Sequence, residues 1–243
     1  MKSTYFILAI LVVCPTILFA QEVIASGEAL YNSTFSLTNG TIMGAAIKAK
    51  KGNKAGSTAS TSRERKTTTS RGLAFVRSEP LSKNIQQDFI ARLSKDQPSI
   101  KPALDNAFSD NKLRNQFDRL LAGYGYSAKN LADVMTAYLV INWQVIHGQE
   151  YNDRRGFDAV RRMITQNLSE NDHLQNVSDK DKQTVAETLG YQSMIAMSTY
   201  KALAAKGDQT ALNKFRQTVY ENAKQSGIDL KAYRLTANGF VKE

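Results

Sequence analysis

The ionisable residues best placed for chemistry are His147, Glu150 and Asp153. On a continuous helix, residues three apart share a face. An imidazole beside carboxylates can move protons or help hold a metal. Gly148 argues against that arrangement, because a glycine following an apolar helix usually ends it in the left-handed conformation. The sequence has no His-Glu-x-x-His pattern, so no metal and no cofactor is expected. The second histidine, His173, falls in a polar stretch and reads as exposed. Glu150 with Asp153, or Glu170 with Asp172, offers the two carboxylates that glycoside hydrolysis needs, although any helical protein contains such pairs. The Gly-x-Ser-x-Gly signature of serine hydrolases is absent, as are the phosphate-loop and dinucleotide glycine patterns.

A second group suits binding rather than catalysis. Tyr138, Asn142 and Trp143 lie within one strongly apolar stretch. A buried amide left without a hydrogen bond costs on the order of 1–3 kcal/mol. Asn142 therefore either lines a ligand cavity or is a satisfied core group that fixes helix register. Trp143 reads as core or domain-edge packing ahead of a ligand platform.

The element that positions both groups runs from Leu131 to about His147. Leu131, Val134, Met135, Tyr138, Leu139, Val145 and Ile146 recur at helical spacing. Val140, Ile141 and Trp143 widen the apolar stripe, so the helix must be covered on most sides. Asp133 and Asn142 interrupt the run, which is too short for a membrane span. Asp133 faces away from the stripe and is expected to pair with an arginine of the 154–162 segment. Ser127 is the expected cap. A preceding helix carries Leu113, Phe117, Leu120 and Leu121, and the short Gly123–Tyr126 connection predicts that the two helices pack antiparallel.

Further helices are expected on both sides. Glu79-Pro80 places a proline in a first turn behind Ser78, with Leu81, Ile85, Phe89 and Leu93 following. Phe157, Val160, Ile164 and Leu168 form one face of a helix whose other face carries Arg154, Arg155, Arg161 and Arg162. Ser178 opens a long helix ending at Gly207, and Asp208 caps another ending at Ser226-Gly227. Leu230, Tyr233, Leu235 and Phe240 can fold back as an extended segment. Together these predict an all-α domain, a compact bundle of five to seven helices spanning residues 73–243.

Composition bounds the rest. The chain has 243 residues and a formal charge of +10. Residues 48–72 hold much of that excess, with eight basic residues against Glu64 alone. This low-complexity stretch lacks the apolar side chains to offset its ordering entropy, so it reads as a disordered basic linker. It can contact anionic surfaces, but no aromatic residues are interleaved for base stacking, so there is no specific nucleic-acid signal. Residues 1–20 read as a cleavable signal peptide, with Lys2, an apolar run and Leu18-Phe19-Ala20 before Gln21. Residues 21–47 form a polar N-terminal arm. The one cysteine, Cys14, lies in the leader, which leaves no disulfide framework. The expected location is therefore exported, periplasmic or secreted, with no transmembrane segment once the leader is removed.

The leader, basic linker and helical domain resemble a family of uncharacterised exported bacterial helical proteins. The residues that carry the resemblance are Phe117-Asp118, Gly123-Tyr124-Gly125, Asp133, Asn142-Trp143 and the closing Leu235-Thr236-Ala237-Asn238-Gly239-Phe240. It covers roughly Leu73 onward and implies a helical fold, with no assigned activity and no catalytic residues. The functional expectation is a non-catalytic binding or interaction module with a protein or cell-envelope partner. The alternative is a hydrolase of cell-envelope polymer using His147, Glu150 and Asp153.

Overall fold

The computed structural model describes residues 71–96, 98–169 and 177–243. The leader, the arm, the linker up to Ser70, and Glu170, Asp172 and His173 lie outside the described residues. Seven α-helices make up most of the described chain: α1 (Glu79–Asp96), α2 (Lys101–Phe108), α3 (Lys112–Gly123), α4 (Leu131–His147), α5 (Arg154–Ser169), α6 (Asp179–Lys206) and α7 (Gln209–Gln225). A two-stranded antiparallel hairpin follows, with β1 at Tyr233–Thr236 and β2 at Gly239–Lys242. The fold is thus all-α apart from this C-terminal ribbon.

The core is one cluster organised around α4 and α6. Fourteen of the 17 residues of α4 are buried, which is what an apolar stripe broader than one face requires. Helix α6 supports it across 28 residues and also receives α1, α3 and α7. An aromatic cluster joins three helices, with Tyr191 of α6 centred 5.3 Å from Phe89 and 4.9 Å from Phe108. Such tilted and edge-on pairs add to the stabilisation from burial alone.

Helix ends follow local chemistry. Ser78 Oγ accepts the Leu81 N–H at 3.4 Å, Ser178 Oγ accepts the Asp181 N–H at 3.1 Å, and Asp208 accepts the Ala211 N–H at 2.9 Å. Gly148 and Gly207 end α4 and α6 at φ +64° and +72°, where a side chain would be strained. The cap of α4 differs from expectation. It is Asn130, whose side chain accepts from Ala132 and Asp133 N–H at 3.0 and 3.3 Å. Ser127 instead closes its own small turn by accepting the Lys129 N–H at 3.1 Å.

Helix α3 does meet α4, but less than it meets α6. Helix α3 packs chiefly on α6, where Gly190 lets the Phe117 ring approach to within 2.8 Å of a would-be Cβ. Part of the space between α3 and α4 is left as a cleft. The tail does fold back, as a hairpin. Two strands alone are marginal in water, and here β1 is fastened by the Trp143 Nε1–H, which donates to Tyr233 O at 2.8 Å. Strand β2 lies on α5, with Gly239 at φ +89° against Ala159 and Val160.

Candidate functional site

The cleft has a volume of about 490 Å³, within the range of small-molecule sites. Its floor is apolar, formed by Leu121 of α3, Ala137, Val140 and Ile141 of α4, Phe157 of α5 and Met197 of α6. Tyr124 and Tyr126 from the α3–α4 turn and Tyr200 from α6 form the walls, all three half-buried. The rim is polar, with Gln144, Gln149 and Asn152 supplying amides. Glu150 and Lys201 supply one charge of each sign, both exposed.

The walls are held from behind. Tyr124 meets Phe157 edge-on at 5.0 Å. The Tyr126 hydroxyl donates to Asp158 Oδ1 at 2.8 Å, and the Arg161 guanidinium lies 5.7 Å from the Tyr126 ring centre. Burial, followed by the bond to Asp158, pushes the Tyr126 phenol well above its ordinary pKa, so it stays protonated. Arg161 also pairs with Asp133, as the sequence led us to expect. Asp133 in turn accepts the Ser127 N–H at 2.9 Å, which pins the tyrosine turn to the start of α4.

Of the residues singled out for chemistry, Glu150 alone lines the cleft. His147 lies at the end of α4, where Gly148 turns the chain away. Its ring stacks on Trp143 at 4.5 Å, and Nε2 is 3.1 Å from Leu230 O. Asp153 is engaged by Arg155, through Nη2 at 2.7 Å and the backbone N–H at 3.0 Å. Those hydrogen bonds hold its carboxyl below the usual value. The structure therefore gives the three residues separate surroundings. Asn142 is fully buried and its Nδ2 donates to Tyr138 O at 2.8 Å. Tyr138 is buried in the core, and Trp143 links α4 to the hairpin. Among the described residues, no group of three or more His, Cys, Asp or Glu side chains is gathered as a metal would require. No described helix is long and apolar enough to cross a membrane.

A second polar assembly, invisible to the sequence reading, lies between α1, α3 and α6. Glu187 is buried, and its Oε1 accepts from Ser82 Oγ at 2.6 Å and Gln183 Nε2 at 3.0 Å. Arg77 approaches the same oxygen at 3.3 Å and grips Asp118 with two bonds of 2.6 and 3.0 Å. Arg114 reaches Glu79 at 2.8 Å. Burial pushes the Glu187 carboxyl above its ordinary value, against the pull of its hydrogen bonds and of Arg77. Burial is the largest single influence on the Arg77 cation and works against it, but the bond to Asp118 together with the charges of Asp118, Glu187 and Glu79 outweighs it and raises its pKa. Glu187 Oε2 and Arg114 Nε and Nη1 are buried in this seam without a hydrogen-bond partner, and a void of about 10 Å³ lies among Arg77, Arg114, Asp118 and Glu187.

Fold and site together define a mostly helical domain with an open, amphipathic cleft and a buried ionic seam. The chain belongs to the Family of unknown function (DUF6683), which it matches over residues 3–243. The matched span begins well before the helices and so exceeds the resemblance read from Leu73 onward. No curated protein and no solved structure matches the chain.

Proposed function

We propose that this chain is an exported binding module that holds a small molecule in the cleft between α3, α4, α5 and α6. One observation carries the reading. The core is closed over most of α4, Val140 and Ile141 included, yet Ala137 and Met197 stay half open and extend that apolar floor into the cleft under three tyrosines. A concave apolar surface with a few convergent polar groups is the usual form of a ligand site. Export rests on the leader, which would deliver the module to the cell envelope or beyond.

The competing hydrolase reading rests on Glu150 at the rim. Acid–base hydrolysis needs a second proton-transferring group across the substrate. The other ionisable rim residue is Lys201, while His147 and Asp153 are engaged elsewhere. The geometry thus favours binding.

Hydrogen–deuterium exchange of the purified full chain, with and without a small-molecule extract of the producing cell's envelope, tests this. Added protection confined to residues 136–145 and 197–204 is expected. Unchanged exchange in both segments, with protection elsewhere, would remove the cleft as the site.

A further inference from the structure

We infer that the cleft takes an uncharged amphiphile, with an acyl or aryl body and an amide- or hydroxyl-bearing head. This rests on the binding reading above and narrows it to a ligand class. The argument begins with charge. The cleft's charged lining residues are Glu150 and Lys201, opposite in sign and both exposed. A phosphate or polyanion calls for clustered cationic donors, usually arginines in bidentate geometry. Of the arginines near the tyrosine turn, Arg161 is occupied by Asp133 behind Tyr126, and Arg154, which reaches Gly125, pairs with Asp158 at 3.7 Å. An ion of either sign would gain one attraction and one repulsion at the rim. A neutral head loses nothing there.

The rim amides complete the selection. Gln144, Gln149 and Asn152 each carry a donor and an acceptor. They can serve hydroxyl and amide groups in either sense. Beneath them the surface turns apolar, and Val140, Ile141, Met197 and Phe157 present no side-chain hydrogen-bonding group. A fully hydroxylated ligand would have to desolvate polar groups against that floor without partners, which is costly. An acyl or aryl body would instead replace water on it favourably. Head toward Gln149 and Asn152 and body toward Met197 is the orientation this gradient imposes.

Fluorescence titration of the full chain with N-phenyl-1-naphthylamine, a neutral aryl probe, tests the inference. Saturable binding at one site is expected. Ala137→Phe, which fills the floor, should weaken it by about tenfold or more. Ala137→Leu should weaken it less, and circular dichroism checks that both variants keep their helix content. Chitotriose, a neutral saccharide, serves as the contrasting probe. Saturable chitotriose binding suppressed by Ala137→Phe, with no naphthylamine site, would overturn the amphiphile class while leaving the cleft a binding site. Binding of neither probe would overturn the class and weigh against the cleft itself. Naphthylamine binding indifferent to Ala137→Phe would place the probe elsewhere and overturn the inference.

Discussion

Helix α6 meets opposite conditions at its two ends. In its first half, Lys182, Gln183 and Glu187 are polar residues turned inward, buried under α1 and the segment before it. In its second half, Met197 and Tyr200 are apolar or amphipathic residues left half open, with Lys201 beside them in solvent. The first half buries charge and meets most of it with protein groups, leaving Glu187 Oε2 without a hydrogen-bond partner. The second leaves apolar surface where water can reach and so keeps a driving force for another molecule. Buried ionic seams fix which elements meet, at little net gain in stability. Open apolar clefts retain free energy for binding. The contrast explains why the buried ionic seam is not the candidate site.

The largest effect should come from breaking the seam. Arg77→Met removes the cation that grips Asp118 and faces Glu187. Leaving a buried charge uncompensated costs about 3–5 kcal/mol. Urea denaturation should show that loss, with the naphthylamine affinity of the still-folded protein little changed. An equal loss of probe affinity would show that the two halves of α6 are coupled.

Gly190 lies between those halves, and Gly190→Ala tests the boundary. The added Cβ would lie 2.8 Å from the Phe117 ring. Overpacking costs about 1–3 kcal/mol, against a gain near 1 kcal/mol from the better helix former. A net destabilisation on the order of 1 kcal/mol is expected. Phe117→Leu in the same chain should recover part of it, which a double-mutant cycle would read as coupling.

Much of this arrangement is legible in the sequence, and the illegible parts share a cause. The span of α4, the caps Ser178 and Asp208 and the stop at Gly148 all depend on residues within a few positions of one another. The pairing of Asp133 with an arginine of α5 was legible because Asp133 interrupts an apolar stripe and the arginines share one face. The seam joins Arg77, Asp118 and Glu187 across more than a hundred positions. Its one local trace is the column Gln183, Glu187 and Tyr191 at four-residue spacing, polar residues on the α6 face that also carries Ala186 and Gly190. The cleft gathers Tyr124, Tyr126, Tyr200 and Lys201 from separate elements, with no spacing to betray them. Its trace is the pair of tyrosines in a glycine turn, a costly place for aromatic rings unless they cover something. The hairpin escaped because its loop is Ala237-Asn238, with Gly239 already in the ladder opposite Thr236.

A smaller effect follows from Glu187 itself. Burial holds its folded pKa above the ordinary 4.5, so the folded protein retains a proton that the unfolded chain has released. The stability this group contributes is full below pH 4.5 and is lost as pH rises through its folded pKa. Asp153 and Asp179 act in the opposite sense. Their exposed carboxyls are held below 3.8, so their contribution is lost only as pH falls through those lower values. The two windows do not overlap. Melting temperatures recorded upward from pH 4.5 should therefore decline from the Glu187 contribution, and Glu187→Gln should flatten that decline. A slope unchanged by Glu187→Gln would assign the titration to another group and show the seam to be fully ionised.

The mildest expected loss sharpens the comparison most, because it separates open from closed on one helix. Met197 and Leu203 both belong to the second half of α6. Leu203 is 4% exposed and belongs to the core, whereas Met197 is half-buried over the cleft. Leu203→Ala should cost about 2–5 kcal/mol, the range for emptying a closed core position. Met197→Ala removes a side chain already partly in contact with water, and solvent can enter the space it leaves. Its cost should stay below about 1 kcal/mol. Chemical denaturation of the two variants under identical conditions reads the difference directly. If Met197→Ala costs as much as Leu203→Ala, the floor of the cleft is covered in solution, and the surface assigned to a ligand is already occupied. If the difference holds, the apolar floor faces water in the free protein, as the binding reading requires.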